Sequence, residues 1–409
     1  MTVEWTPFRW PASWTDSGLL SLLRGTAINY LLFESGPQFD SIREQARQEG
    51  FHVGSLASPP DGVFVVKGEW AGVRMSRGGD GASAGPTGVA WVDSNGWSVR
   101  LAAALHPSNA IWVQAAPPEK TVNTAVSYLI TMADTAAYGG RWVMTLDEAL
   151  ANGLSAKEPK SLASWKKLCD AAGFFAAHKE WAGYEPQATV GVVSDFTGEH
   201  EFFGGELLNL LARAGAHYRI LLKDKVTAAS FQGLRAVIYA DAAPAAENLR
   251  SRIVSFVQAG GMLITHAKWG GAAGPALAAE DHPRFELHAA GKGRIALARQ
   301  AEADPYVWAN DSVILVSHRY DLVRFWNGGA TGSFYTVSPD KKRAIVHLLF
   351  YSDQGPDAAS IRVAGRYRSA RISTADTLAA QIVKIIPQKD GVEVHLPQVS
   401  QYVALELEV

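Results

Sequence analysis

The stretch ATVGVVSDFTGEHEFFGGELLNLLARAGAHYRILL, residues 188–222, decides the fold of the middle of the chain. Its apolar opening, Ala188–Ser194, predicts a buried strand, and Phe202–Ala214 repeats apolar residues at helical spacing. Tyr218–Leu222 predicts a second strand. Because a strand, a helix and a strand follow one another, we expect a parallel β-α-β unit here.

The same alternation continues downstream of this unit. Arg235–Tyr239 and Met262–Thr265 are predicted strands, and Ala245–Ala259 is the predicted helix between them. Residues 186–304 are therefore predicted to form a flavodoxin-like, doubly wound α/β domain.

Residues 1–185 also alternate short apolar runs with amphipathic stretches. The predicted strands are Glu4–Trp10, Ala27–Glu34, Phe51–Ala57, Gly62–Lys67, Gly88–Asp93, Ala110–Ala115 and Arg141–Asp147. The predicted helices are Phe39–Gly50, Thr121–Tyr138 and Ser161–Trp181. Ala71–Arg77 is either a further strand or the return of a hairpin. Because about 250 residues are typical of a (β/α) barrel, this segment predicts a reduced or irregular TIM-like barrel.

From residue 305 to residue 409 the pattern changes to short strands separated by Pro, Asp and Gly turns, which is typical of a β-sandwich. The predicted strands are Val313–Ser317, Gly332–Val337, Ala344–Phe350, Ser360–Val363, Gln381–Ile386, Gly391–Leu396 and Tyr402–Glu408. The chain is thus predicted to have three domains, of α/β and β class.

Composition excludes several classes of partner. The formal net charge is −2, and the longest basic run, residues 341–343, follows a turn-like Pro-Asp, so we expect no nucleic acid. No apolar run reaches the roughly 20 residues that span a bilayer, so we expect no membrane partner. The opening MTVEWTPFRW does not predict a signal peptide, and the compartment stays open. The single cysteine, Cys169, cannot form an intrachain disulfide.

Five fragments carry a family resemblance. Residues 188–222, LRAVIYAD (234–241) and VQAGGMLITHA (257–267) resemble the glutamine-amidotransferase-like domain of A4-type β-galactosidases, glycoside hydrolase family 42. SPDKKRAIVHLLFYSD (338–353) and GVEVHLPQVSQYVALELEV (391–409) resemble the terminal β domain of many glycosidases. The resemblance implies a glycoside hydrolase with a carbohydrate substrate, no cofactor, and a homo-oligomer, either a dimer or a trimer.

The sequence departs from that family at its catalytic motif. The family carries an Asn-Glu pair after the fourth barrel strand, whereas residues 1–185 contain no Asn-Glu dipeptide. Catalytic residues therefore cannot be transferred. A non-catalytic carbohydrate-binding or scaffold protein with a degenerate barrel is the alternative, and an oligomeric assembly protein is a third hypothesis.

Candidate catalytic residues follow from the barrel itself, whose sites lie where strands end. Four predicted strands end at or next to an acid: Glu34, Glu69, Asp93 and Asp147. Glycosidic cleavage needs one carboxyl as acid and another as base or nucleophile. We predict Glu69, beside the indole of Trp70, as the acid and Asp93 as the base or nucleophile, with Glu34 as a third catalytic candidate.

Substrate-binding candidates surround these acids. Ten of the 13 tryptophans precede residue 186, and indoles stack on sugar rings as well as pack in cores. The predicted substrate contacts are Trp10, Lys67, Trp70, Asn95, Trp97, Gln114, Asp147, Glu199, His200 and Glu201.

Several of these residues have a second interpretation. Asp147 is also a candidate helix cap. Lys67 and Arg74 either bind an acidic sugar or pair with acids. The acid-and-histidine run 195–201 is an interface, a substrate contact or, on weak spacing, a metal site, and we predict none. An amidotransferase nucleophile is excluded, since Cys169 falls within a predicted helix.

Overall fold

A computed structural model describes residues 4–55, 57–73, 91–118, 123–269, 274–277, 282–300, 303–326, 329–352, 358–375, 377–397 and 400–409. Helices and several separate sheets are present, as expected of a mixed α/β protein. No helix within these ranges is long and apolar enough to cross a membrane.

Parallel strands form the first sheet. The strands up to residue 142 are β1 Pro7–Arg9, β2 Tyr30–Phe33, β3 His52–Ser55, β4 Val63–Lys67, β5 Gly72–Val73, β6 Val92–Asp93, β7 Ala110–Gln114 and β8 Arg141–Trp142. Met144, just past β8, bridges to Phe8, and this contact joins two three-stranded ladders in the parallel order β3-β2-β1-β8-β7-β4. No ladder of the described residues joins β3 to β4, so a closed barrel stays a prediction.

β5 and β6 form a separate antiparallel pair, in which Gly72 is opposite Asp93. This pairing favours the hairpin-return interpretation of the segment that begins at Ala71. Residues 74–90, including Arg74 and the first half of the predicted strand Gly88–Asp93, lie outside the described ranges.

Five helices lie among these strands: α1 Asp40–Gln48, α2 Gly96–Leu105, α3 Ala125–Ala137, α4 Glu148–Ser155 and α5 Pro159–Ala177. The three predicted helices correspond to α1, α3 and α5, with ends moved by a few residues. Neither α2 nor α4 was predicted. α2 starts without a side-chain cap, because the Asn95 amide in its cap position bonds elsewhere.

The second sheet follows. Its strands, preceded by the short β9 Glu185–Pro186, are β10 Val190–Ser194, β11 Tyr218–Leu222, β12 Ala236–Tyr239, β13 Met262–Thr265, β14 Phe285–Ala290 and β15 Gly293–Ala298. They are arranged β11-β10-β12-β13-β15-β14, parallel except for β14. The sequence predicted β10 to β13 as strands of a doubly wound sheet, and this order is a doubly wound one; the β14-β15 hairpin was not predicted.

Three helices cover this sheet: α6 Glu199–Arg213, α7 Glu247–Gln258 and α8 Pro305–Val316. The predicted strand Val313–Ser317 is wrong, because those residues form the end of α8. Asp304 caps this helix and Pro305 occupies its first turn. Buried Trp308 packs α8 into the core of the second sheet, so that core extends beyond residue 304.

Two antiparallel sheets complete the chain. Their strands are β16 Val323–Phe325, β17 Thr331–Val337, β18 Arg343–Phe350, β19 Ala359–Ala364, β20 Ser369–Thr374, β21 Thr377–Val383, β22 Ile385–Gln388, β23 Gly391–Leu396 and β24 Tyr402–Glu408. One sheet runs β16-β19-β23-β22 and the other β21-β20-β24-β18-β17-β9. Buried residues of both sheets share one apolar core, as expected of a sandwich. The basic run 341–343 lies at the turn between β17 and β18, as predicted.

Candidate active site

An open cavity of about 380 Å³ lies at the carboxyl edge of the first sheet. We call it the strand-end cavity. Its lining residues include Arg9 at the end of β1, Glu34 just after β2, Thr145 just after β8 and Glu148 at the start of α4. Roughly 300–1,000 Å³ is usual for ligand pockets, so the space suits one small sugar unit. Parallel sheets of this kind place their sites at this edge.

Two arginines hold the chain around Glu34. The Arg9 guanidinium donates to Glu34 Oε1 at 2.6 Å, and both side chains are partly exposed. Arg43 of α1 donates to the Glu34 carbonyl and, at 3.1 Å, to the Gly36 carbonyl. The same guanidinium lies near the ring of Phe33, with 5.6 Å to its centroid. Arg43 thus fixes the backbone of the loop, while Arg9 fixes the carboxylate.

Asp147 and Glu148 differ in role although they are adjacent. Asp147 caps α4 by accepting from the Leu150 amide at 2.8 Å, and its other oxygen accepts from the Tyr128 hydroxyl at 2.9 Å. Burial raises the pKa of Tyr128, which keeps that hydroxyl protonated as a donor. Glu148 is exposed in the first turn of the helix, where a negative charge is favoured. The cap interpretation of Asp147 is what the structure shows, and Glu148 is the acid that faces the cavity.

The predicted pair Glu69 and Asp93 lies elsewhere at the carboxyl edge, outside the described lining of the strand-end cavity. Glu69 is exposed. Its amide donates to Asn95 Oδ1 at 2.8 Å, and Asn95 Nδ2 donates back to its carbonyl at 3.0 Å. Asp93 precedes Asn95 by two residues in β6, so this amide holds the two segments together.

Asn95 is in turn held by Asp134 of α3. Its backbone amide donates to Asp134 Oδ2 at 2.6 Å, and the Tyr351 hydroxyl donates to Asp134 Oδ1 at 2.6 Å. Full burial raises the pKa of the Asp134 carboxyl to about 6, although these hydrogen bonds oppose the rise. Because Asn95 is 1% exposed and its amide is occupied, the structure gives it a positioning role.

The predicted tryptophans pack against protein. Trp10 is 1% exposed, and its indole donates to the Trp14 carbonyl at 2.8 Å. Trp70 meets the Trp142 ring edge-on at 5.5 Å, and Trp97 packs against α6. None of the described residues lining the strand-end cavity is a tryptophan.

The remaining barrel candidates are two polar residues at the carboxyl edge. Lys67 and Gln114 end β4 and β7 opposite each other. Lys67 is exposed and Gln114 half-buried.

The predicted acids of the middle segment separate into two sets. Glu199 and Glu201 are exposed on the first turn of α6. His200 instead joins Asp195, Lys223 and Asp241 in what we call the aspartate–lysine cluster. This cluster lies where β10, β11 and β12 end, which is the usual ligand crevice of a doubly wound sheet.

Lys223 holds the aspartate–lysine cluster together. Its ammonium bonds Asp195 and, at 2.8 Å, the fully buried Asp241, while His200 Nδ1 lies 3.0 Å from Asp195. Partial burial favours a higher pKa for Asp195, but hydrogen bonds from Lys223 and His200 outweigh it and lower the pKa to about 2. The two aspartates and His200 lie close enough to bind a cation, yet Lys223 already supplies that positive charge. The cluster therefore links the carboxyl ends of β10, β11 and β12.

Sequence reasoning missed Arg9, Glu148, Lys223 and Asp241. Lys223 directly follows a predicted strand, and Asp241 comes two residues after another. The rule that site residues lie where strands end, which located Glu34, would therefore have found both Lys223 and Asp241. Arg9 lies inside the predicted strand Glu4–Trp10. Only the structure shows that β1 ends at Arg9, which places this residue at the carboxyl edge.

Comparison with solved structures shows a likeness of fold to glycosidases. A catalytic mutant of a family 42 β-galactosidase from G. stearothermophilus matches at 10% identity with a TM-score of 0.51, over 94% of this chain and 64% of that one. The β-galactosidase from Rahnella sp. matches at 11% identity and 0.50, over 94% and 64%. An α-L-fucosidase from Paenibacillus thiaminolyticus matches at 10% identity and 0.50, over 76% and 62%.

These matches confirm the resemblance in architecture that the sequence indicated. The chain spans less than two thirds of the length of each of these three structures. No protein-family profile matches the sequence, and no curated protein matches it either.

Proposed function

We propose that this chain is a glycoside hydrolase that cleaves a glycosidic bond in the strand-end cavity, with Glu34 and Glu148 as its two carboxyls. The observation that carries the proposal is that both acids line one open cavity at the carboxyl edge of a parallel sheet. The glycosidase-like fold and the paired-carboxyl requirement of glycoside hydrolysis support it. The closed barrel, the three-domain division with its first limit at 185 and a homo-oligomer belong to the same proposal, in which the predicted limit at 304 moves to the end of α8.

Each acid takes a role from its surroundings. Arg9 compensates the charge of Glu34, which suits an ionised base or nucleophile. Glu148 is then the proton donor to the leaving oxygen, and Ser13, which also lines the cavity, would offer its hydroxyl to the sugar. Arg9 also offers further N–H groups to the substrate.

Glutamine substitutions test the two acids, because they remove the charge and keep the shape. We expect Glu34→Gln and Glu148→Gln each to lower kcat on a panel of aryl glycosides by roughly 10²–10⁴-fold. Glu44→Gln is the matched control, since Glu44 is an exposed glutamate whose described partners, Arg47 and Gln48, lie on the same helix. Full activity in both cavity variants would contradict the assignment.

The same panel tests the sequence-based pair. Glu69→Gln and Asp93→Asn should leave kcat within a few-fold of the wild type if the chemistry occurs in the strand-end cavity. If only these variants lost turnover, the reaction would instead be assigned to Glu69 and Asp93, beside Asn95.

A non-catalytic carbohydrate-binding protein is the second candidate. It is favoured by the Arg9–Glu34 ion pair, which occupies one carboxylate oxygen, and by the missing Asn-Glu dipeptide. Binding on a glycan array without release of product by the wild type would establish this function.

A further inference from the structure

A second cavity, of about 280 Å³, lies where the first sheet's helices, the second sheet and the C-terminal sheets meet. We call it the central cavity. Arg100 of α2, Arg141 at the start of β8 and Tyr218 of β11 line it, together with Phe334 of β17 and His347 of β18. Because β8 and β11 begin here, the central cavity lies at the amino edge of both sheets. It is therefore on the opposite side of the first sheet from the strand-end cavity.

The charged lining of the central cavity is entirely basic. Four cationic side chains border it, and no Asp or Glu stands among the described lining residues. Lys179 pairs with the Glu4 carboxylate at 2.5 Å, and Arg219 donates to the Ser230 carbonyl at 3.0 Å from the edge strand β11. Arg100, Arg141 and Arg219 provide the remaining charge, and the first two are also in contact with lining residues or their backbone.

These two arginines are bound by carbonyls and rings, not by carboxylates. Arg100 lies over the Tyr218 ring at 3.9 Å and near the Phe334 ring at 5.2 Å, and it donates to the Tyr218 carbonyl. Arg141 donates to the Gly140 carbonyl at 2.9 Å. In the described part of the chain neither has a carboxylate oxygen within 4.0 Å. Burial lowers the pKa of Arg141, and the Glu4 charge only partly offsets this.

The walls of the central cavity are apolar and flat. Tyr138, Phe175, Trp181 and Phe334 contribute rings to its lining. His347 adds no charge, because full burial lowers its pKa to about 3. The lining therefore combines several aromatic residues with the guanidinium groups described above.

We propose that the central cavity binds a small organic anion, with its single carboxylate against Arg141 and a flat apolar body between the aromatic walls. A partly buried guanidinium without a carboxylate is costly, and a bidentate carboxylate removes that cost. A sugar acid fits less well, since its many hydroxyls would lose water against apolar walls. This binding site is separate from the proposed glycosidase site.

Isothermal titration calorimetry of the full chain with sodium benzoate tests the proposal. Benzamide is the neutral isostere, glucuronate the acidic sugar, and inorganic phosphate the compact anion. We expect saturable benzoate binding, with each of the other three at least about tenfold weaker. If glucuronate or phosphate bound more tightly than benzoate, the proposal that the ligand has a flat apolar body would be wrong. Equal binding of benzamide would overturn the role of charge.

Two variants locate the site. Arg141→Gln should weaken benzoate binding at least about tenfold. Ala104→Phe, on half-buried Ala104 of α2, fills the central cavity without removing a charge and should abolish binding. Arg47→Gln on the exposed face of α1 is the control and should bind like the wild type. Benzoate that fails to saturate the wild type, or that binds Ala104→Phe as well as the wild type, refutes the proposal even if Arg141→Gln does not fold.

Discussion

Replacing His347 by glutamine should change how stability depends on pH. His347 lies in β18, fully buried, with Nδ1 2.7 Å from the Tyr402 hydroxyl. Its ring lies 5.7 Å edge-on from Trp181. Burial lowers the pKa of the imidazole from 6.5 to about 3, so the folded chain keeps it neutral where the unfolded chain would protonate it. Glutamine stays neutral in both states and can still bond Tyr402.

The sign and size of the effect follow from linkage. Between the folded and unfolded pKa values the unfolded chain binds more protons, so stability is present above pH 6.5 and is lost as the pH falls below it. At 1.36 kcal/mol per pKa unit, lowering the pH from about 7.5 to about 5 costs the folded state about 2 kcal/mol through His347. His217, whose pKa burial lowers to about 4, adds a cost of the same sign.

Asp134 acts in the opposite direction. The pKa of Asp134 is raised to about 6, so the folded chain takes up a proton there before the unfolded chain does as the pH falls. Relative to about pH 7.5, this proton uptake stabilises the folded chain by roughly 1.4 kcal/mol at about pH 5. Since this contribution is common to the wild type and the His347→Gln variant, it cancels when the two proteins are compared.

Urea unfolding at about pH 7.5 and about pH 5, followed by far-UV circular dichroism, measures the difference. We expect the wild type to lose about 2 kcal/mol more than His347→Gln between the two pH values. His395→Gln is the control, because His395 is exposed. Hydrogen exchange of β18 peptides reports the same change locally. Equal losses in the wild type and the variant would show that the imidazole is not held neutral.

Three further perturbations test charge and packing. Lys223→Met should lower the free energy of unfolding by roughly 3 kcal/mol, since it leaves the buried carboxylate of the aspartate–lysine cluster uncompensated, while exposed Lys225→Met should change it little in the same urea titration. Gly205→Leu should cost about 1–3 kcal/mol, because a Cβ there would lie 3.0 Å from the Trp97 ring and separate α6 from α2. Gly173→Ala in α5 should instead stabilise by roughly 0.5–1 kcal/mol, since its Cβ meets nothing within 4 Å.

The sequence predicted strands best where apolar residues run without a break or alternate regularly. Met262–Thr265 is a largely buried apolar run and Gly391–Leu396 alternates, and both were predicted with their observed ends. Val313–Ser317 failed because its β-branched run has the composition of a strand, although Asp304 and Pro305 already indicated a helix start. The β14-β15 hairpin turns at Gly291-Lys292, where Gly291 has a positive φ, so the sequence held a two-residue glycine turn that the prediction did not use.

The site was predicted less completely because its contacts join distant segments. Glu34 was found from its position after a strand, but its pairing with Arg9 depends on β1 and β2 being neighbours in register. Asn95 was predicted to contact sugar, and nothing in its local sequence shows that Asp134, 39 residues away, accepts from its amide. Strand-end position thus predicts where polar residues gather, but it does not show which of them remain available to a ligand.

That availability also separates the two proposed functions. A general acid needs a carboxyl that stays protonated, which burial away from other charges favours. Glu34 is 43% exposed beside Arg9, and Glu148 is exposed at a helix start. A substrate that covers the strand-end cavity would enclose Glu148 beside the bond to be cleaved. A hydrolase should therefore lose kcat in Glu148→Gln, whereas a binding protein would keep its affinity for the sugar in that variant and release no product in either form.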